Sequence, residues 1–260
     1  MNNPLIIDAH LHIGKVNNFF SSGYSTEELV NSMDRLGISK GCVSSMYAIG
    51  PDASKGNQEI VEAVRKYPDR LVGMLCVNPS YKEEVEEQIN IHMASGCFQQ
   101  FKLHPFLHGT DSHHENYEPV YVYAQEHRAS ILIHTWGERD VSVFSEVASK
   151  FREAIFIVGH AGGDIKGIQR AVMEAKKHDN IVLDITSTWN YDGAIEFMVN
   201  QVGADRVIFG SDAVFNSQSA ALGRVLYSRL TDNEKEKVLG LNMKRILSLR
   251  EGAISLKGEH

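Results

Sequence analysis

Two histidines separated by one residue close the first apolar run of the chain, in the pentapeptide DAHLH at residues 8–12. In a β-strand, side chains at positions i and i+2 lie on the same face, so His10 and His12 would point the same way. Their Cα atoms would be about 6–7 Å apart, and each imidazole can bind Zn²⁺ at about 2.0–2.1 Å. The preceding residues Leu5–Ile7 are bulky and apolar, which is typical of a buried strand. The pair therefore predicts part of a metal site at the C-terminal end of the first strand.

Further candidate ligands end later apolar runs, in the segments FKLHP, ILIHTW, IVGHAGG and VIFGSDA. The chemically active residue of each segment is a histidine or an aspartate: His104, His134, His160 and Asp212. In an α/β barrel, the C-terminal ends of all the strands meet on one face, so residues distant in sequence can form one site there. Imidazoles combined with a carboxylate suit Zn²⁺, with Mn²⁺ or Fe²⁺ as alternatives.

The elements that must position these residues alternate regularly along the chain. Eight apolar runs predict strands, at residues 5–12, 41–47, 71–78, 98–104, 130–136, 155–160, 181–186 and 207–211. Segments with helical periodicity lie between them, which predicts βαβ units and a parallel sheet. We therefore expect an α/β fold, a (β/α)₈ TIM barrel, as a single domain over residues 1–260. An extra C-terminal helix is expected after the capping pair Thr231 and Glu234.

An open, doubly wound sheet is the structural alternative. Its dinucleotide-binding form is disfavoured because no GxGxxG motif follows the first strand.

Composition restricts the partners of the chain. The 26 basic and 33 acidic residues give a net charge of −7 without a long run of one sign, which argues against nucleic acid and anionic membrane surfaces. No apolar stretch reaches the length of a transmembrane helix, and the N-terminus lacks the features of a secretory signal. The three cysteines are scattered, which is typical of a reduced cytoplasmic protein. We expect a small-molecule substrate, and the sequence leaves a homo-oligomer open.

The ordered motifs DAHLH, FKLHP, ILIHTW, IVGHAGG, IFGSDA and the closing EKVLGLNMKRIL resemble the amidohydrolase superfamily. More narrowly, they resemble its amidohydrolase-related branch (amidohydrolase 2), which includes aminocarboxymuconate-semialdehyde decarboxylase. The resemblance implies that one divalent metal is held by His10, His12, His134 and Asp212. It also implies that His160 stands beside the metal as a general base or electrophile, and that Asp212 also shuttles a proton.

Lys102 shares a strand face with His104 and so could reach the mouth of the barrel. In some superfamily members the corresponding lysine is carboxylated and bridges two metals. A charged Lys102 that grips an anionic substrate, or pairs with a carboxylate such as Asp8, is the favoured interpretation. Asp184, on the seventh strand, fits core hydrogen bonding at least as well as catalysis. Further substrate contacts are expected from residues at or after strand ends: His104, Trp136, Arg139 and, as a pocket wall, Trp189.

The resulting functional hypothesis is a metal-dependent hydrolase that acts on an ester, lactone or amide of a small, anionic substrate. Metal-activated water would attack the carbonyl, and His160 or Asp212 would manage protons. The first alternative is a metal-dependent non-oxidative decarboxylase of a small carboxylic acid on the same scaffold. Decarboxylases of this branch tend to be longer, so the short loops of this chain favour hydrolysis. The second alternative is a non-catalytic barrel that binds a ligand or metal, against which the additional His160 argues.

Overall fold

The computed structural model describes residues 4–15, 20, 23–188 and 191–257, and for residues 251–257 the backbone alone. Trp189, expected to form a pocket wall, lies outside the described residues. Among the described helices, none is both long enough and apolar enough to cross a membrane.

The described chain contains a nine-stranded sheet in the order β2-β1-β3-β4-β5-β6-β7-β8-β9. The strands are β1 (Ile7–Lys15), β2 (Gly23–Tyr24), β3 (Lys40–Ser45), β4 (Leu71–Cys76), β5 (Phe98–Leu103), β6 (Ser130–His134), β7 (Ile155–Gly159), β8 (Ile181–Asp184) and β9 (Val207–Ile208). Each of the eight predicted strands is present, with ends that differ by a few residues. The short β2, which pairs antiparallel with β1, was not predicted, whereas the other pairings are parallel.

The sheet curls until β1 meets the segment that follows β9. The backbone N–H of Ala9 donates to the carbonyl of Phe209 at 3.0 Å, and that of His12 donates to the carbonyl of Ala213 at 2.7 Å. These bonds bring the ends of the outer parallel strands together, as an α/β barrel requires.

Helices follow most strands and cover the outside of the sheet. They are α1 (Thr26–Leu36), α2 (Met46–Ile49), α3 (Ala53–Lys66), α4 (Lys82–Met93), α5 (Glu118–His127), α6 (Gly137–Lys150), α7 (Ile165–Lys177), α8 (Ala194–Val202), α9 (Gln218–Leu226), α10 (Asp232–Glu236) and α11 (Asn242–Lys257). The Thr231–Glu234 pair forms a capping box at the start of α10. A π-helical turn over Lys237–Leu241 joins α10 to α11, and the sequence pattern did not indicate it.

Two large apolar cores contain most of the buried apolar side chains that the structure describes. The larger core lies between the strands and the surrounding helices, and includes Leu11 and Ile13 of β1. The smaller core fills the interior of the curled sheet with residues that alternate with these, including Ile7 and Ala9 of β1. Met243 of α11 belongs to the interior core, so this helix packs against the interior from one end. The polar strand ends therefore lie at the opposite, open end.

Candidate metal centre

A β-bulge in β1 determines where the histidine pair points. Between Asp8 and Leu11, β1 takes three steps while its partner β3 takes two, so β1 carries one extra residue. Regular alternation would put Ala9 and His10 on opposite faces. With the bulge, Ala9 packs in the interior core, and His10 and His12 line the cavity above it. The i, i+2 spacing predicted the shared face of the histidines, but not the bulge that directs both inward.

Each of these imidazoles is held through its Nδ1 atom. His10 Nδ1 donates to Asp184 Oδ2 at 2.8 Å, and His12 Nδ1 lies 2.9 Å from Ser44 Oγ. Both histidines are almost fully buried, at 0% and 2% exposure. Hydrogen bonds of this kind select the tautomer and orientation of a ligating histidine. They leave the two Nε2 atoms facing Asp212 Oδ1, at 3.7 Å from His10 and 3.1 Å from His12.

The backbone is unusual where the site residues leave the strands. Asp212, His160 and Ser187 all have positive φ angles, of 58°, 63° and 50° respectively. Residues with side chains rarely adopt this conformation, and such outliers are concentrated at functional sites. The backbone N–H of Asp212 donates to the carbonyl of His10 at 2.8 Å, which ties the carboxylate to the histidine pair.

A second group of imidazoles lies beside the first. His160 Nε2 is 2.9 Å from His134 Nδ1, and the His160 backbone N–H donates to Asp184 Oδ2 at 3.2 Å. His160 Nδ1 is buried and has no hydrogen-bond partner among the described residues. The His104 ring stacks on His134 with centroids 3.9 Å apart. Asp184 thus joins the His10 pair to His160, a role that sequence reasoning left undecided.

Lys102 reaches the centre of this cluster. Its Nζ atom lies 2.6 Å from His10 Nε2, and burial lowers the pKa of Lys102 to about 8. The suggested pairing with Asp8 is not formed. The Asp8 carboxylate instead accepts hydrogen bonds from the backbone N–H of His10 and Ser211 and from Gln218 Nε2.

The donor set fits a divalent cation. Donor atoms of His10, His12 and Asp212 lie within 4.8 Å of one another, as do those of His10, His160 and Asp184. His134 falls in neither group and contacts His160 instead.

The ionisation states of the donors also suit a metal, because ligating histidines must be neutral and carboxylates ionised. Burial lowers the pKa of His10, His12, His134 and His160. Burial would raise the pKa of Asp212, but its hydrogen bond to His12 and its electrostatic interaction with the nearby histidines bring that pKa below its usual value. His10 Nε2 has one lone pair, so a bound cation would displace Lys102 from it.

A cavity of about 670 Å³ opens above these residues, a size that accommodates a small organic molecule. Its floor contains the histidines, Lys102 and Asp212. Its walls are largely apolar and aromatic, formed by Met46, Ile49, Phe106, Leu107, Trp136 and Phe215.

The expected substrate contacts divide into two groups. Lys102, His104 and Trp136 line the cavity. Arg139 does not: its side chain is 70% exposed and binds both carboxylate oxygens of Asp111, at 2.7 and 2.9 Å. A different arginine, Arg224 of α9, lines the cavity instead.

Sequence reasoning missed Arg224 and the neighbouring Phe215 and Asn216. For Phe215 and Asn216, the available signal was their position in the loop after β9, since loops after barrel strands lie at the open end.

A family model described as amidohydrolase matches residues 7–249. The chain belongs to the amidohydrolase family. The match confirms the resemblance that the ordered motifs indicated, and it makes this protein a metal-dependent enzyme, so the non-catalytic barrel is set aside. No curated protein sequence matches this amidohydrolase.

Several solved structures share the fold of this amidohydrolase at low sequence identity. An uncharacterized TIM-barrel protein from Bordetella bronchiseptica has a TM-score of 0.78 and 17% identity, over 95% of this chain and 99% of that chain. The 2,6-dihydroxybenzoate decarboxylase from Rhizobium has a TM-score of 0.74 and 13% identity, over 95% of this chain and 99% of that chain. The 5-carboxyvanillate decarboxylase from Novosphingobium aromaticivorans, complexed with manganese and 4-hydroxy-3-methoxy-5-nitrobenzoic acid, has a TM-score of 0.75 and 14% identity. The match covers 94% of this chain and 96% of that chain. This likeness shows a shared α/β-barrel fold.

Proposed function

We propose that this amidohydrolase is a metal-dependent, non-oxidative decarboxylase of a small aromatic carboxylic acid. The observation that carries the proposal is the cavity, in which a cluster of metal-type donors lies beneath aromatic and aliphatic walls. Such walls suit a flat apolar ring, and the donors suit the carboxylate attached to it. The shared fold of two aromatic-acid decarboxylases supports the same reaction. The proposal replaces hydrolysis as the leading hypothesis.

His10, His12, His134 and Asp212 would hold one divalent cation, Zn²⁺, Mn²⁺ or Fe²⁺, which when bound supplies positive charge for the substrate carboxylate. The hydrogen bonds to Asp184 and Ser44 keep the first two imidazoles directed at that position. His134 lies beside this group and contacts His160, so its role as a ligand requires its ring to move.

His160 is the residue that we assign to proton handling. Decarboxylation breaks the ring C–COO⁻ bond and forms a C–H bond, so CO₂ leaves and one proton is taken up, without an oxidant. When His160 Nε2 accepts from His134 Nδ1–H, the proton of the neutral His160 ring lies on Nδ1. That atom has no partner among the described residues, so its proton is not committed to another group.

Asp212 is a second candidate for moving the proton. Its Oδ2 atom accepts a hydrogen bond from Asn216 Nδ2 at 3.1 Å and lies 3.4 Å from Ser187 Oγ.

Hydrolysis stays the second candidate because the same donor set can serve metal-activated water. The apolar walls favour decarboxylation over it. Phe106, Trp136 and Phe215 would cover an aromatic substrate and restrict the entry of the bulk water that hydrolysis consumes.

The two reactions leave different products. Protein loaded with Mn²⁺ or Zn²⁺ would be incubated in D₂O with 2,6-dihydroxybenzoate, 5-carboxyvanillate and related aromatic acids, and separately with dihydrocoumarin as a lactone. We expect CO₂ and one ring deuterium per product molecule, with no acid release from the lactone. Arg139→Gln is the control, because Arg139 lies outside the cavity. Lactone opening without CO₂, or no turnover of any substrate, would overturn the proposal.

A further inference from the structure

Two basic side chains other than histidine are among the described residues that line the cavity, and they are placed differently. Lys102 lies on the floor against His10. Arg224 comes from α9 and is half-buried in the wall. Because Lys102 is engaged at the histidine cluster, Arg224 is the cation available to a part of the substrate away from that cluster.

The guanidinium of Arg224 contacts neutral partners only, among the described residues. Its Nη1 donates to the carbonyl of Ile185 at 3.2 Å, and its Nη2 donates to Thr188 Oγ1. These two bonds use two of its five N–H groups. The remaining donors have no hydrogen-bond acceptor in the described part of the chain.

The carboxylates that influence Arg224 electrostatically are bound to other groups. Asp184 accepts from His10 Nδ1 and from Thr186. Glu196 accepts from the backbone N–H of Arg229 at 2.8 Å and lies 3.6 Å from its Nε. As far as the described residues show, Arg224 is thus a partly desolvated cation without a contacting counterion in a substrate-sized cavity, and burying such a charge unpaired is costly.

We propose that Arg224 binds a second anionic group of the substrate, which makes the preferred substrate an aromatic dianion. One carboxylate would lie at the histidine cluster, and a second acidic substituent on the ring would accept the free N–H groups of Arg224. The aromatic part of this inference rests on the proposed function. A guanidinium suits this role because its planar N–H groups match a carboxylate and keep their charge at every physiological pH.

A purely structural role for Arg224 makes a different prediction. The bonds of Arg224 to Ile185 and Thr188 also support the loop that carries Ser187. If supporting this loop were the only role of Arg224, removal of the Thr188 hydroxyl would affect binding in the same way as removal of the guanidinium. The control variant is therefore Thr188→Val, which removes the hydroxyl acceptor and keeps the guanidinium. Thr188 is buried and does not line the cavity.

The test uses two probes of nearly equal size and shape, isophthalate and 3-carbamoylbenzoate, which differ by one negative charge on the distal group. Their dissociation constants are measured by calorimetry on the metal-loaded protein. We expect the wild type to bind isophthalate about tenfold more tightly, the usual effect of one charge-assisted hydrogen-bonded pair. Arg224→Gln should reduce this ratio to about one, and Thr188→Val should keep it.

Three results would overturn the proposal: equal affinities for the two probes in the wild type, loss of the ratio in Thr188→Val as well, or binding of neither probe. The experiment measures binding only, so its outcome is separate from the question of which reaction the protein catalyses. A protein that discriminates between the probes through Arg224 but releases no CO₂ from any acid would support this inference and contradict the proposed function.

Discussion

The carboxylate of Asp184 joins two parts of the candidate site. Its Oδ2 atom accepts a hydrogen bond from His10 Nδ1 at 2.8 Å and another from the backbone N–H of His160 at 3.2 Å. Asp184 Oδ2 therefore orients both His10, a proposed metal ligand, and His160, the proposed proton donor. Asp184 is itself held by Thr186, whose backbone N–H donates to Oδ1 at 3.0 Å.

This arrangement predicts that Asp184→Asn weakens metal binding without removing a proposed ligand. The amide can present its N–H₂ group to His10 Nδ1 and so disturb the tautomer that leaves Nε2 free. We expect metal affinity to fall by about 10–100-fold, the usual effect of losing such a supporting group. Competition with a chromophoric chelator would measure it. Ser44→Ala, which removes the neutral partner of His12, is the matched control and should have a smaller effect.

The different roles proposed for the contacting residues His134 and His160 can be tested separately. Purified wild-type protein should carry about one divalent metal per chain, and His134→Ala should lose most of it. His160→Ala should keep the metal and lose activity by at least about 100-fold, which is the usual contribution of a general acid–base group. Elemental analysis and turnover assays on the same samples would decide. A fully active His160→Ala protein would remove His160 from the mechanism.

Substitution of Lys102 should strengthen metal binding, whereas the substitutions of Asp184 and His134 should weaken it. The Lys102 ammonium lies 2.6 Å from His10 Nε2, so it competes with a cation for that nitrogen and repels it. Lys102→Met should therefore raise the affinity for a divalent metal by about tenfold. If Lys102 were instead carboxylated and bridged two metals, the same variant would lower metal content. Titration with Zn²⁺ and Mn²⁺ distinguishes these results, and Lys40→Met, on the same sheet but outside the cavity, is a suitable control.

The acid dependence of stability should reflect Glu174 on α7. Burial would raise the pKa of this buried carboxylate, but Ser145 Oγ at 2.6 Å, Lys177 Nζ at 3.0 Å and Arg170 Nε at 2.9 Å bring it below the ordinary value of 4.5. A carboxylate with a lowered folded-state pKa stabilises the fold above its unfolded-state pKa, and this stabilisation is lost as pH falls through the folded-state pKa.

Glu174→Gln should therefore lower the free energy of unfolding at pH 7 by about 1–2 kcal/mol. The difference in the free energy of unfolding between the variant and the wild type should shrink as pH falls below about 4.5, because Glu174 of the wild type then becomes protonated and loses its charge. Urea unfolding at pH 7, 4.5 and 3.5 would measure both effects. Glu146→Gln, at an exposed position of α6, serves as the control. A difference that stays constant with pH would show that the Glu174 charge is not responsible.

Much of the architecture could be read directly from local patterns. The apolar runs predicted the eight parallel strands, and the residues at their ends included the histidines that meet at the open end of the barrel. These inferences succeeded because alternation, capping and strand termination are properties of residues close together in sequence. The DAHLH motif similarly identified a histidine pair on one face, since a strand period of two needs no information from elsewhere in the chain.

The tertiary structure decided what depends on contacts between distant segments. The bulge in β1 follows from its register with β3, and it turns His10 inward while Asp8 points away. Asp111 holds Arg139 at the surface, whereas Arg224, on a helix after the last strand, reaches the cavity. The sequence by itself determined which residue types gather at the strand ends. Only the folded chain decided which of them face one another, because those partners lie up to about two hundred residues apart and meet through packing alone.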